Sequence, residues 1–151
     1  LVPAFTGLGA PHWSANARGL ISGLTRNSDW KDIVRATIES VAYQSHDLFT
    51  AMNNDGLKPK VVKVDGGMIS NSWFSQFLSD ILGIKVIRPK IQETTALGAA
   101  FIAGYQIGIF KSLGSISKKW KTDKKFSPKI NKTSRFKLLK GWQQAIKRTL
   151  V

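Results

Sequence analysis

The chain has no cysteine, so disulfides and thiolate metal sites are excluded. It has two histidines, His12 and His46, far apart in sequence; a structural metal site is not expected, and no metal ligand is assigned. No apolar run approaches the ~18 residues of a membrane span. The N-terminus lacks a basic region followed by an apolar one, the pattern of a signal peptide. These absences fit a cytoplasmic protein with no membrane partner. Acid is also scarce: nine Asp and Glu stand against 23 Lys and Arg, for a net charge of +14.

That excess is unevenly spread. Residues 1–110 carry ten Lys and Arg against eight acids, so +2. Residues 111–151 carry thirteen against one, Asp123, so +12. We read 1–110 as a domain, and 111–151 as a basic C-terminal extension with a terminal helix. A basic tail can contact nucleic acid or an acidic membrane surface; a solvated face is the plainer expectation. At 151 residues and 42% hydrophobic, the chain can bury a core. It begins with Leu1 rather than Met, which fits a fragment, a recombinant piece or an unusual start codon.

The chain is organised around residues 61–71, VVKVDGGMISN. Val61, Val62 and Val64 favour a strand, and Asp65, Gly66 and Gly67 stop it. Phe74, Phe77, Leu78, Ile81 and Leu82 then fall on one helical face, with Ser70 or Asn71 as N-cap. Glycine lets backbone approach a ligand closely. A helix N-terminus presents unpaired N–H groups to phosphate or another polar group. Most strand–Gly–Gly–helix turns are only turns, so the rest of the chain must decide.

Residues 1–13, LVPAFTGLGAPHW, read as a packed connector or a binding loop. Residues 18–24 read as a short strand. Trp30 to Met52 follow helical spacing with a complete buried stripe. Asp29 and Asp32 suit the helix's first turn, Gly56 suits its end, and His46 lies off the stripe as a surface residue. Gly83 ends the helix 72–82. Ile84, Val86 and Ile87 form another strand, closed by Pro89. Thr94 or Thr95 caps a helix through Ala103, in which Gly98, Ala99, Ala100, Ala103 and Gly104 permit close packing, helix against sheet. Residues 108–128 read as irregular, and a last helix as 138–149 with Leu139, Trp142, Ile146 and Leu150 on one side. The alternation implies an α/β fold with mostly parallel pairing.

Three motifs then agree. PAFTGLGAPHW resembles the PAFTGLGAPYW segment of glycerol kinases. Residues 19–24, GLISGL, followed after seven residues by 32–39, DIVRATIE, are similar to the C-terminal signature of the sugar-kinase family that includes glycerol, xylulose and gluconate kinases. VDGGMISN, with QFLSDILG and ETTALGAAFIAG after it, is similar to the adenosine region of glycerol kinases. Even Gly141-Trp142 with Lys147-Arg148 fits. The resemblance covers nearly the whole chain and implies a ribonuclease H-like (actin-like ATPase) fold, here a partial C-terminal domain.

The resemblance implies ATP or ADP as ligand. Gly66 and Gly67 would pass close under the nucleotide, with Gly67 donating a backbone contact, and Asn71 would reach the adenine or ribose. It also implies Mg2+ in the complete enzyme, with no ligand from this chain. The glycerol-binding residues, the base and the phosphate loop belong to a first domain, so no catalytic residue is assigned here and no phosphoryl transfer is expected from this chain alone. His12 replaces the family's Tyr and Ser14 replaces an acid, which weakens the case for ordinary packing of that loop.

Three readings are thus set side by side. One is the adenosine-binding part of a glycerol kinase, with a separate N-terminal kinase chain as a possible partner. Another is a remnant of a disrupted gene. The third and weakest is a nucleic-acid module in which Lys118, Lys119, Lys121, Lys124 and Lys125 contact phosphates while Trp120 and Phe126 stack on bases. An incomplete sheet edge and exposed apolar surface would also favour self-association.

Overall fold

In the computed structural model, which describes residues 1–150, helix α1 spans Trp30–Asn54. Asp29 starts it with more than a favourable charge. Its Oδ1 accepts from the N–H groups of Lys31 and Asp32, at 2.8 and 3.2 Å, and Asp32 returns a carboxylate oxygen to the Asp29 N–H. This reciprocal capping box satisfies donors that a helix start leaves orphaned. The buried stripe is incomplete, however. Ser40, Ala42 and Tyr43 are buried, whereas Trp30 and Val34 are exposed.

The sheet contains β1 (Val61–Lys63), β2 (Lys85–Pro89) and β3 (Thr122–Phe126), in that order. β1 and β2 are parallel, and β2 and β3 antiparallel. Half of the sheet's pairing therefore departs from the parallel arrangement expected. β3 and the short α4 (Leu113–Ser117) both lie in the stretch read as irregular. The strand TDKKF shows almost no apolar alternation, because only Phe126 turns inward. Residues 18–24 form no strand either; Leu20 makes one isolated antiparallel bridge with Val2.

Helix α2 (Ser72–Leu82) is the centre of the packing. It lies against α1, the sheet and α5 (Lys132–Thr149). Phe74, Phe77, Leu78 and Ile81 meet Val2, Ala4 and Leu8 of the N-terminal loop, Ala42 and Tyr43 of α1, Val86 of β2, Phe126 of β3, and Trp142 and Ile146 of α5. Tyr43 stacks on Trp142 at 5.5 Å and meets Phe77 edge-on at 5.7 Å. The basic segment thus contributes a strand and a helix to the common core. α5 begins six residues before the expected start, because Asn131 caps it through the Ser134 N–H at 2.8 Å.

Polar groups tie this core together. Asp80, 6% exposed, accepts from the N–H groups of Lys129 and Ile130 and from Gln76. It thereby fixes the loop between β3 and α5 onto α2. Gly83 closes α2 in the left-handed region, at φ 69°, where glycine has no Cβ penalty.

Helix α3 (Thr94–Gln106) departs most from expectation. Gly104 is its one buried residue among those described, approached by the ring of Phe110 rather than by a sheet. Ala99, Ala100 and Ala103 face outward, and nothing lies within 4 Å of a Cβ placed on Gly98. Neither Thr94 nor Thr95 caps it; Glu93 holds the N-cap position without a side-chain bond.

Candidate functional site

The strand, turn and helix read from residues 61–71 are present, with one addition. A 3-10 turn, Gly67–Ser70, stands between the glycines and α2. Gly66 has φ 88° and ψ 173°, a region essentially reserved for glycine. Its N–H donates to the Gln92 carbonyl at 3.2 Å. Ser70 Oγ donates to Gln92 Oε1 at 2.7 Å, and the Thr94 hydroxyl donates to Asp65. The turn is thereby tied to the segment joining β2 to α3. Underneath, buried Ile69 anchors it to the core, and Ser75 Oγ donates to the Ile69 carbonyl at 3.1 Å.

The outer side is open. No heavy atom lies within 4 Å of a Cβ built on Gly66 or on Gly67. Among the described residues the Gly67 N–H has no hydrogen-bond partner, as befits the first residue of a helical turn. Asn71 caps α2: its Oδ1 accepts from the N–H groups of Trp73 and Phe74 at 2.9 and 3.3 Å. Only the side-chain NH2 of this exposed residue remains to donate elsewhere. The three residues named from the sequence, Gly66, Gly67 and Asn71, therefore sit on one short surface. It offers a free backbone donor, a free amide and open space beside the two glycines. Arg88 and Gln92, which help hold this surface in place, were not singled out, and Thr94 was read only as a helix cap. The signal for Arg88 was its position as a cation between Ile87 and Pro89 in a strand.

A second cluster surrounds Asp47. Trp142 Nε1 donates to its Oδ2 at 2.6 Å, and His12 Nε2 lies 3.2 Å from the same oxygen. His46 Nδ1 is 4.0 Å from the other oxygen. Burial would raise the carboxyl pKa, but the neighbouring His46 and the hydrogen bonds from Trp142 and His12 outweigh it and hold the group below its ordinary value. The histidine found in place of the family's tyrosine is thus docked, and it joins the N-terminal loop to α1 and α5. Tyr43 is pushed well above its ordinary value, mainly by burial and then by Glu39, to which its hydroxyl donates at 3.2 Å. Both clusters are structural.

Among the described residues there is no group of three or more His, Asp or Glu able to hold a metal ion. No described helix is long and apolar enough to cross a membrane. The aromatics of the nucleic-acid reading are occupied within the chain: Phe126 is buried, and Lys63 lies over the Trp120 ring at 4.2 Å. Phe126 is thus withdrawn from that reading, and one face of the half-buried Trp120 is covered.

The pattern described as the FGGY family of carbohydrate kinases, C-terminal domain, matches residues 1–107. A glycerol kinase of Alteromonas mediterranea is 53% identical over 148 residues, covering 98% of this chain and 30% of that protein. One from Gluconobacter oxydans is 51% identical over 151 residues, again 30% of its length. Among solved structures, glycerol kinase from Plasmodium falciparum with ADP superposes with a TM-score of 0.85 at 39% identity, covering 99% of this chain and 30% of that one. Gluconate kinase from Lactobacillus acidophilus gives 0.76 at 28%, with the same coverage. The chain thus spans about a third of the length of the relatives it matches.

Proposed function

We infer the function from a premise the matches establish: the chain belongs to the FGGY family of carbohydrate kinases, as its C-terminal domain. We propose that it is the adenosine-binding portion of an ATP-dependent glycerol kinase, which converts ATP and glycerol to ADP and glycerol 3-phosphate. The observation that carries this reading is the open backbone of Gly66 and Gly67 beside the capped start of α2. The identity to glycerol kinases and the ADP held by the Plasmodium relative support it. The same premise supports a ribonuclease H-like, actin-like fold, of which these residues form part.

On this reading the nucleoside lies across Gly66 and Gly67. The Gly67 N–H and the Asn71 amide donate to it, and Asn71 Oδ1 stays with the helix. Phosphoryl transfer also needs a nucleophile, a metal and the γ-phosphate held together. No residue here is assigned to those tasks, so the expected contribution is binding, with chemistry restored by a chain supplying the first domain. ADP titrated into 15N-labelled chain tests the site. The amides of residues 66–74 and the Asn71 side chain should shift. Shifts confined to another surface, or none at millimolar ADP, would overturn the assignment.

A further inference from the structure

The +12 segment 111–151 contains a single acid, Asp123, and that acid is committed. Its Oδ2 accepts from Arg88 Nε at 2.7 Å. The other arm of the guanidinium, Nη1, donates to the carbonyls of Ile69 and Ser70, at 2.8 and 3.2 Å, and reaches Ser72 Oγ at 3.3 Å. Arg88 therefore grips the end of the 3-10 turn and the start of α2 with one arm and β3 with the other. Its side chain is 11% exposed and lies beside the Phe126 ring, 5.6 Å from its centre.

The sheet is modified to make this possible. Arg88 pairs with Lys124, but Pro89 pairs with Thr122. Asp123 is thus the extra residue of a β-bulge. In a regular ladder, neighbours on a strand point to opposite faces, so Asp123 would point away from the face shared by Arg88 and Lys124. A bulge re-aims such a side chain. An exposed ion pair contributes little to stability, and Asp123 is 42% exposed. The arrangement orients a planar fork that a lysine ammonium would not reproduce.

We propose that Arg88, aimed by the bulged Asp123, is a positioning residue for the Gly66–Asn71 turn, so that the basic C-terminal segment sets the shape of the nucleotide surface from behind. This rests on the reading of that turn as the nucleotide site, but the brace can be tested without nucleotide.

Hydrogen–deuterium exchange of the full chain, free of ligand, would compare wild type with Asp123→Asn, Arg88→Lys, Arg88→Gln and Arg88→Gln/Asp123→Asn. Charge-assisted bonds to the turn are lost with Arg88, so protection of residues 68–74 should fall about tenfold in Arg88→Gln. It should fall about threefold in Asp123→Asn, where only the aim is lost. Arg88→Lys should fall between them, and protection of α1 and α5 should hold throughout. Because Asp123 acts through Arg88, the double variant should be no worse than Arg88→Gln. ADP affinity should fall in the same order. Should Arg88→Gln loosen the whole chain, Asp123→Asn decides alone. Unchanged exchange at 68–74 in Asp123→Asn, or additive effects in the double variant, would overturn the proposal. A wild-type chain that bound no ADP would overturn the site assignment instead, leaving the exchange comparison intact.

Discussion

Gly66 and Gly67 are neighbours with different physical demands. Gly66 occupies backbone space that other residues avoid, so Gly66→Ala should destabilise by about 1–3 kcal/mol. Gly67 begins a 3-10 turn, and a Cβ there meets no heavy atom within 4 Å; Gly67→Ala should change stability by less than about 0.5 kcal/mol. Urea denaturation checks both. The requirement at Gly67, on this account, comes from the ligand and not from the fold. Asp47 makes a pH prediction. Its folded pKa lies below the ordinary value, so the unfolded chain binds its proton more readily. The resulting stability is present above the unfolded pKa of about 3.9 and is lost as pH falls through the lower folded value. Asp47→Asn keeps an acceptor for Trp142 but not the charge, and should cost about 1 kcal/mol at pH 7. The gap from wild type should close as pH drops below about 4; a gap constant with pH would contradict it.

At the scale of elements, α2 organises the domain, and Asp80 is its polar fastening to the segment that follows β3. Asp80→Ala leaves the half-buried N–H groups of Lys129 and Ile130 without their acceptor, and should cost about 1–2 kcal/mol. Asp80→Asn should cost far less; thermal melts distinguish the two. α2 was legible from the sequence because Phe74, Phe77, Leu78 and Ile81 repeat at helical spacing between Asn71 and Gly83. The turn was legible because two glycines follow three valines. β3 was not, since an edge strand with one inward residue has no period to read. The outward face of α3 was hidden for a different reason: local spacing reports that a helix is apolar, not what covers it. Arg88 was missed because its role depends on Asp123, 35 residues away.

The whole molecule combines a charge of +14 with exposed apolar side chains on and beyond α3, among them Ile102, Ile107, Ile109 and Leu113. Such surface favours association, while like charge opposes it until salt screens the repulsion, over about 10 Å at 0.1 M. Sedimentation velocity should therefore show self-association that grows with salt and weakens in Ile102→Lys. A monomer at every ionic strength would contradict this. The family supplies the larger frame, a C-terminal domain whose relatives are about three times as long; the proposed nucleotide surface lies where β1 gives way to α2. The most direct test of that surface is ADP calorimetry on the wild-type chain and on Gly67→Ala, both verified as folded. The account predicts binding by wild type and a loss of at least about tenfold, 1.4 kcal/mol, in the variant. Equal affinity in the two chains, or none in a folded wild type, would contradict it.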